Sequence, residues 1–226
     1  MATKEERRRA VELIRENSKL IHDHKLVDLF YTSTNPNIIG QIGELLYQGI
    51  PQFMDYMYII PTCAFQYSSI ERITLPKITY QIDSYAFANC KNLVQVECLG
   101  RIDNIGTACF QDCVSLEKFP RLTGIDFIPS QAFQYCHSLK EITLLSGVET
   151  IESSAFDGCT RVTEVVLPPS IKEINYWAFR NLTSLKKIIF LGNRSEWESI
   201  QRHSHWATGC PEEAVIECID ETFELR

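Results

Sequence analysis

The sequence has no run of about 7 to 15 apolar residues behind its N-terminal basic residues and no apolar stretch of about 18 or more. It therefore lacks the core of a secretory leader and any membrane span, and, taken as a complete chain, it is expected in the cytoplasm of the producing or infected cell. It has no low-complexity block. It also has no excess of positive charge: 22 Lys and Arg stand against 29 Asp and Glu, a net charge of −7. Residues 1–60 carry 7 basic and 8 acidic groups and residues 61–193 carry 12 and 13, so the excess lies in residues 194–226, with 3 and 8. That balance disfavours nucleic acid and anionic membranes as partners. There is no phosphate-binding glycine-rich loop, nucleophile elbow or His-Glu-x-x-His. No catalytic residues, cofactor or metal are assigned, and an enzyme is not expected.

What the sequence does have is a repeat. Ala-Phe or Cys-Phe pairs place Phe65, Phe87, Phe110, Phe133, Phe156 and Phe179 at spacings of 22, 23, 23, 23 and 23 residues. Five residues before each Phe stands Ile60, Ile82, Ile105, Ile128, Ile151 or Ile174, and three after it Ser68, Cys90, Cys113, Cys136, Cys159 or Leu182. Nine after it, from the second copy on, come Val96, Phe119, Ile142, Val165 and Ile188. No unit can bury these positions alone, so stacking of successive coils must build the core. A unit this short excludes helical arrays and suits one strand plus a compact return.

The unit from Ile151 through Ala155, Phe156, Cys159, Val162 and Val165 to Leu167 and Pro168 resembles the BspA-type leucine-rich repeat, roughly I-x-x-x-A-F-x-x-C-x-x-L-x-x-I-x-L-P. The resemblance covers about residues 60–191 and implies an α/β repeat fold: a leucine-rich-repeat solenoid with a stacked parallel β-sheet, an α-helical N-terminal cap and a short C-terminal cap. The expected divisions are a cap over 1–57, repeats over 58–191 and a closing unit over 192–226, in one continuous solenoid. Helical periodicity in 3–57, with a capping-box spacing at Thr3 and Glu6, gives the first part. In the last part Trp197 and Ile200 at helical spacing, followed by Ala214 to Asp220, resemble the family's closing helix and strand.

The chain has nine cysteines. Cys90, Cys113, Cys136 and Cys159 share one register and read as inward structural thiols. Cys109 replaces the small Ala of the pattern, so its spacing to Cys113 does not read as a zinc pair. His203 and His205 with Cys210 and Cys218 form the better metal candidate, against which stands the ordinary reading of solvated loop histidines. Arg7, Arg8 and Arg9 alternate with Glu5, Glu6 and Glu12 and read as an ion-paired helix face.

Function must then lie on the outside. Alternation in the strands turns outward Arg72 and Thr74, Gln95 and Glu97, Lys118 and Pro120, Glu141 and Thr143, Glu164 and Val166, and Lys187 and Ile189, with Leu191 extending a later apolar patch. On the return side Tyr67, Tyr85, Tyr135, Tyr176 and Trp177 offer aromatic anchors, the alternative being that they pack over neighbouring coils. The candidate partner-binding residues are Lys118, Glu141, Thr143, Glu164, Val166, Lys187, Ile189, Leu191, Tyr135, Tyr176 and Trp177. The expected function is stoichiometric binding of another protein or protein complex. By analogy with compact relatives it could be a phage-type inhibitor of a host system; the alternative is a cell-surface adhesin or host-contact domain without its leader. Partner identity and oligomeric state are not legible.

Overall fold

The computed structural model describes residues 58–118 and 120–225. The helical N-terminal cap expected over 1–57 lies outside them, as does Phe119. The described chain winds as a solenoid in which each coil contributes up to three stacked segments.

The first is a two-residue strand ending on the buried isoleucine of each unit: β1 (Ile59–Ile60), β3 (Gln81–Ile82), β5 (Asn104–Ile105), β6 (Phe127–Ile128), β8 (Thr150–Ile151) and β10 (Glu173–Ile174). The second is the Ala-Phe return. The third is a longer strand: β2 (Arg72–Leu75), β4 (Gln95–Cys98), β7 (Glu141–Thr143), β9 (Glu164–Leu167) and β11 (Lys187–Phe190). In the latter two, side chains alternate between buried and half-buried, which puts Val165, Leu167, Ile188 and Phe190 inside. Pairing is parallel and in register from coil to coil, as in Val165 with Ile188 and Val166 with Ile189.

Six phenylalanines stack through the middle. Successive ring centroids from Phe65 to Phe179 lie 5.2, 5.2, 5.2, 5.4 and 5.5 Å apart with nearly parallel planes. Every ring is fully buried, and each contributes about 2 to 3 kcal/mol of burial. The backbone ladder that carries them is unbroken among the described residues. The N–H of Phe65, Phe87, Phe110, Phe133, Phe156 and Phe179 donates to the carbonyl of Ala86, Cys109, Ala132, Ala155, Ala178 and Trp206 respectively, at 2.7 to 2.9 Å.

Two details differ from the sequence expectation. First, the long strands do not form one sheet. They divide into β2-β4 and a second sheet that begins at β7, with no long strand in the third coil among the described residues. Pro120 sits where that strand would run and has no N–H to give a ladder. Expected to face outward, Pro120 is instead buried.

Second, the chain does not leave the repeat register after Phe190. Helix α1 (Arg194–Ser199) is capped by Asn193, whose side chain accepts from the Glu196 N–H while the Glu196 carboxylate accepts from the Asn193 N–H, a complete capping box. Beyond it β12 (Gln201–Arg202) pairs with β10, and β13 (Val215–Glu217) pairs with β11, placing Arg202 beside Ile174 and Ile216 beside Ile188. Trp206 receives the bond from the Phe179 N–H, so Trp206 and Ala207 stand in the Ala and Phe places in swapped order. This is a seventh coil, lengthened by the helix. The Trp206 ring meets Phe179 edge-on at 6.1 Å and ends the stack. Trp197 and Ile200 are buried over the open core, and β14 (Thr222–Glu224) returns antiparallel along β13.

Candidate functional site

The return segments owe their shape to two left-handed residues in each coil, two before and two after the Phe. Before it stand Cys63, Tyr85, Ala108, Gln131, Ser154 and Trp177; after it Tyr67, Asn89, Asp112, Tyr135, Gly158 and Asn181. Asparagine, aspartate and glycine are at ease with positive φ, and bulky side chains are not, at a cost of about 1 to 2 kcal/mol each. Yet Tyr67 (φ 63°), Tyr85 (φ 59°), Tyr135 (φ 61°) and Trp177 (φ 59°) occupy four of these places.

Burial explains Tyr135. It is half-buried and lies over the next coil, where a Cβ on Gly158 would come within 2.6 Å of its ring; here the packing alternative holds. Burial does not explain the others. Tyr67 is 60 % exposed and Trp177 42 %, and Tyr176, beside Trp177, is 45 % exposed.

Beneath Trp177 lies a polar cluster that single-residue reading of the sequence missed. Asp157 is fully buried and accepts from Arg180 through Nε at 2.9 Å and Nη2 at 2.6 Å, from Gln134 Nε2 at 3.2 Å and from Asn181 Nδ2 at 3.3 Å. Gln134 in turn accepts from Gln111 Nε2 at 2.8 Å. The Arg180 guanidinium stacks on Trp177 at 4.8 Å, and hydrogen bonding to Asp157 holds its pKa above the usual range. A signal existed: Gln111, Gln134, Asp157 and Arg180 follow one another at the repeat spacing, with complementary chemistry. The ring of Tyr176 packs against His203 at 4.8 Å, and His203 Nε2 meets Glu173 Oε1 at 2.8 Å. Tyr176, Trp177 and Arg180 are thus held on a firm base, with the two aromatic rings each partly covered and partly open to solvent.

The strand face is a different surface. Lys187 is clamped between Glu217 at 3.0 Å and Glu164 at 3.6 Å, which keep its ammonium pKa raised, Glu217 most. Val166 and Ile189 are paired neighbours and half-buried; Glu141 and Thr143 are exposed on β7, Lys118 is exposed outside any strand, and Leu191 is exposed. The polar outward residues largely pair with the next coil, as Arg72 does with Gln95 and Lys140 with Glu117.

The cysteine column has a purpose the register alone does not reveal. Each thiol donates to the Phe carbonyl of the coil before: Cys90 to Phe65 at 2.9 Å, Cys113 to Phe87 at 3.1 Å, and Cys136 to Phe110 and Cys159 to Phe133 at 3.2 Å. Cys210 does the same toward Phe179 at 3.2 Å, which places it in the seventh coil of the same column. Burial raises the pKa of Cys113, Cys136, Cys159 and Cys210, that of Cys210 to about 11, so these four stay protonated near neutrality. His203 on Glu173 and Cys210 on the Phe179 carbonyl are two of the four residues weighed as a metal group, and both are engaged elsewhere. All nine cysteines are free.

The chain matches the BspA type leucine rich repeat region, in six copies, over residues 58–186 and 126–204. A leucine rich cell surface protein from Faecalibacterium prausnitzii is similar at 30 % identity and a TM-score of 0.57, over 61 % of this chain and 36 % of that one. The pneumococcal vaccine antigen PcpA is similar in fold at 21 % identity and a TM-score of 0.52, over 66 % and 36 %. A leucine-rich repeat protein from Bacteroides ovatus is similar in fold at 23 % identity and a TM-score of 0.50, over 67 % and 43 %. The chain thus spans less than half the length of each of these relatives. No curated protein matches it. Among the described residues no helix is long and apolar enough to cross a membrane. The Faecalibacterium relative is a cell surface protein, and these likenesses lend no support to the cytoplasmic placement or the phage-type inhibitor expected from the sequence.

Proposed function

We propose that this chain, which belongs to the BspA type leucine rich repeat family, acts by stoichiometric binding of another protein, with the open aromatic pair Tyr176 and Trp177 at the centre of the contact. One observation carries the reading. A tryptophan with φ 59° is strained where asparagine would be accepted, and although Arg180 stacks on its ring, 42 % of it stays open to solvent. A side chain that is unfavourable for the fold and open to solvent is explained by what it touches outside the fold. Trp, Tyr and Arg are the side chains enriched at interface centres, and Trp177, Tyr176 and Arg180 are held together here by the Asp157 cluster. The strand face around Val166, Ile189 and Leu191 would be the flank of the same binding module, since its charges already satisfy one another. The likeness to a cell surface protein supports presentation outside the cell.

The test is Trp177→Asn, alone and with Tyr176→Ser, used as bait beside the parent protein against surface extracts of the source and of its contact cells. The single variant should unfold within about 0.5 kcal/mol of the parent or be more stable, because asparagine accepts the left-handed backbone. It should nevertheless lose the partner, while Lys187→Glu with Ile189→Asp should only weaken capture. Undiminished capture by the double aromatic variant would place the contact elsewhere, and turnover of a substrate by the protein would end the binding reading altogether.

A further inference from the structure

A second feature lies at the C-terminal end of the solenoid, apart from the aromatic pair. A cleft of about 330 Å³ opens between α1, β12, β13 and β14, with Trp197, Trp206, Ile216 and Phe223 as its apolar walls. That volume is at the lower end of small-ligand sites, about 300 to 1,000 Å³.

Arg202 lines it too, and its position is unusual for the repeat. Pairing of β12 with β10 sets Arg202 beside Ile174, in the column that holds a buried isoleucine in all six preceding coils. One guanidinium N–H donates to the Trp197 carbonyl, and the plane lies over the Trp197 ring at 5.1 Å. Among the described residues no carboxylate reaches ion-pair distance of it; Glu198 attracts it only through space and is itself bound to Arg194 at 2.8 Å, and Arg194 also holds Glu221 at 2.6 Å. A guanidinium presents five donors in a planar fork that matches a carboxylate. Arg202 is half-buried, burial lowers its pKa, and most of its donors have no acceptor among the described residues.

We infer that this cleft binds a carboxylate joined to a small apolar body, Arg202 receiving the carboxylate while Trp206 and Phe223 flank the body. A ligand cation does not suit the cleft, because the protein's own guanidinium groups already cover Phe223, at 4.5 Å from Arg194, and Trp197. A dianion does not suit it either, since Glu198 and Glu224 also line the walls and would repel a second negative charge. A monoanion with an apolar body meets both constraints. It has two sources: the free α-carboxylate of a peptide ending in an apolar residue, or a small apolar carboxylic acid.

The experiment uses the whole chain and follows the indole N–H signals of the three tryptophans by NMR. N-acetyl-phenylalanine is titrated against its uncharged amide, and a hexapeptide ending in Phe with a free carboxylate against the same peptide amidated. The free carboxylates should shift Trp197 and Trp206 and leave Trp177 in place, binding about tenfold or more tighter than the amides. Arg202→Gln should remove that preference and Arg202→Lys restore part of it. Binding by N-acetyl-phenylalanine as tight as by the hexapeptide assigns the site to small acids, and much tighter peptide binding assigns it to chain ends. Equal binding of acid and amide by the parent protein, no shift at millimolar probe, or a folded Arg202→Gln that keeps the preference would overturn the inference. Should Arg202→Gln fail to fold, the acid and amide comparison on the parent protein still decides.

Discussion

At the scale of the residue, two side chains repeat because each solves a local problem. Phenylalanine fills the axis, where each of the four inner rings lies flat between two others, and the cysteine three residues later donates its S–H to a carbonyl of the previous coil that the backbone ladder would otherwise leave with a spare lone pair. Both columns were legible in the sequence because inward positions tolerate few alternatives. Phe133→Ala or Phe156→Ala should cost about 3 to 5 kcal/mol in urea unfolding, since stacked neighbours 5.2 to 5.5 Å away cannot collapse into the gap. A loss below about 1 kcal/mol would mean the stack does not hold the coils together. The thiols add a dependence on pH. Burial raises them in the folded chain, Cys210 to about 11 and, with help from Glu97, Cys98 to about 12, from an ordinary value near 9. An acid whose pKa is raised by folding favours the folded state fully below its unfolded value and loses that contribution as pH climbs toward the folded one. Stability under reducing conditions should therefore decline from about pH 9 upward, more steeply than in a variant with Cys136→Ala and Cys159→Ala; equal slopes would refute the assignment.

At the scale of the element, the strands are the weaker connection and the returns the stronger. The long-strand sheet is interrupted at the third coil, where Pro120 stands, while the Phe ladder passes through that coil unbroken. Sequence alternation alone could not foresee this, because a missing strand leaves the repeat spacing unchanged. The Asp157 cluster was hidden for another reason: its members lie in a column that varies from coil to coil, so no single unit announces it. It joins the fourth, fifth and sixth coils through one buried carboxylate. Asp157→Ala would leave the Gln134 and Asn181 amides and the Arg180 guanidinium without their acceptor, and the expected loss is about 3 kcal/mol. Trp177 should become more mobile at the same time, seen as a loss of indole fluorescence anisotropy. A variant within about 0.5 kcal/mol of the parent, with Trp177 unmoved, would show that the cluster only decorates the surface.

At the scale of the whole molecule, a solenoid's stability is a sum of neighbour contacts, and its ends decide whether it stays a single particle. The C-terminal end uses a lengthened seventh coil whose register the sequence conceals, since α1 intervenes and Trp206 precedes Ala207 where Ala should precede Phe. Past that coil β13 would offer an open ladder edge over the buried Ile216, the kind of template that pairs with another chain. β14 covers it, with Glu224 opposite Val215, Phe223 opposite Ile216 and Thr222 opposite Glu217. Arg194 fixes the strand in place by stacking on Phe223 and pairing with Glu221. β14's own outer edge is only three residues long and flanked by the carboxylates of Glu221 and Glu224, which discourages further pairing. Ending the chain after Asp220 should therefore make the protein associate more strongly than the full-length chain as concentration rises from about 10 to 100 µM, read by sedimentation velocity. Glu224→Lys in the full-length chain, which leaves the Arg194–Glu221 pair in place, should keep the association state of the parent, because charge of either sign guards an edge while its absence does not. If the shortened chain associated no more than the parent, with unchanged thermal unfolding, the seventh coil would be closing the solenoid by itself, and β14 would have to be understood as part of the neighbouring cleft instead.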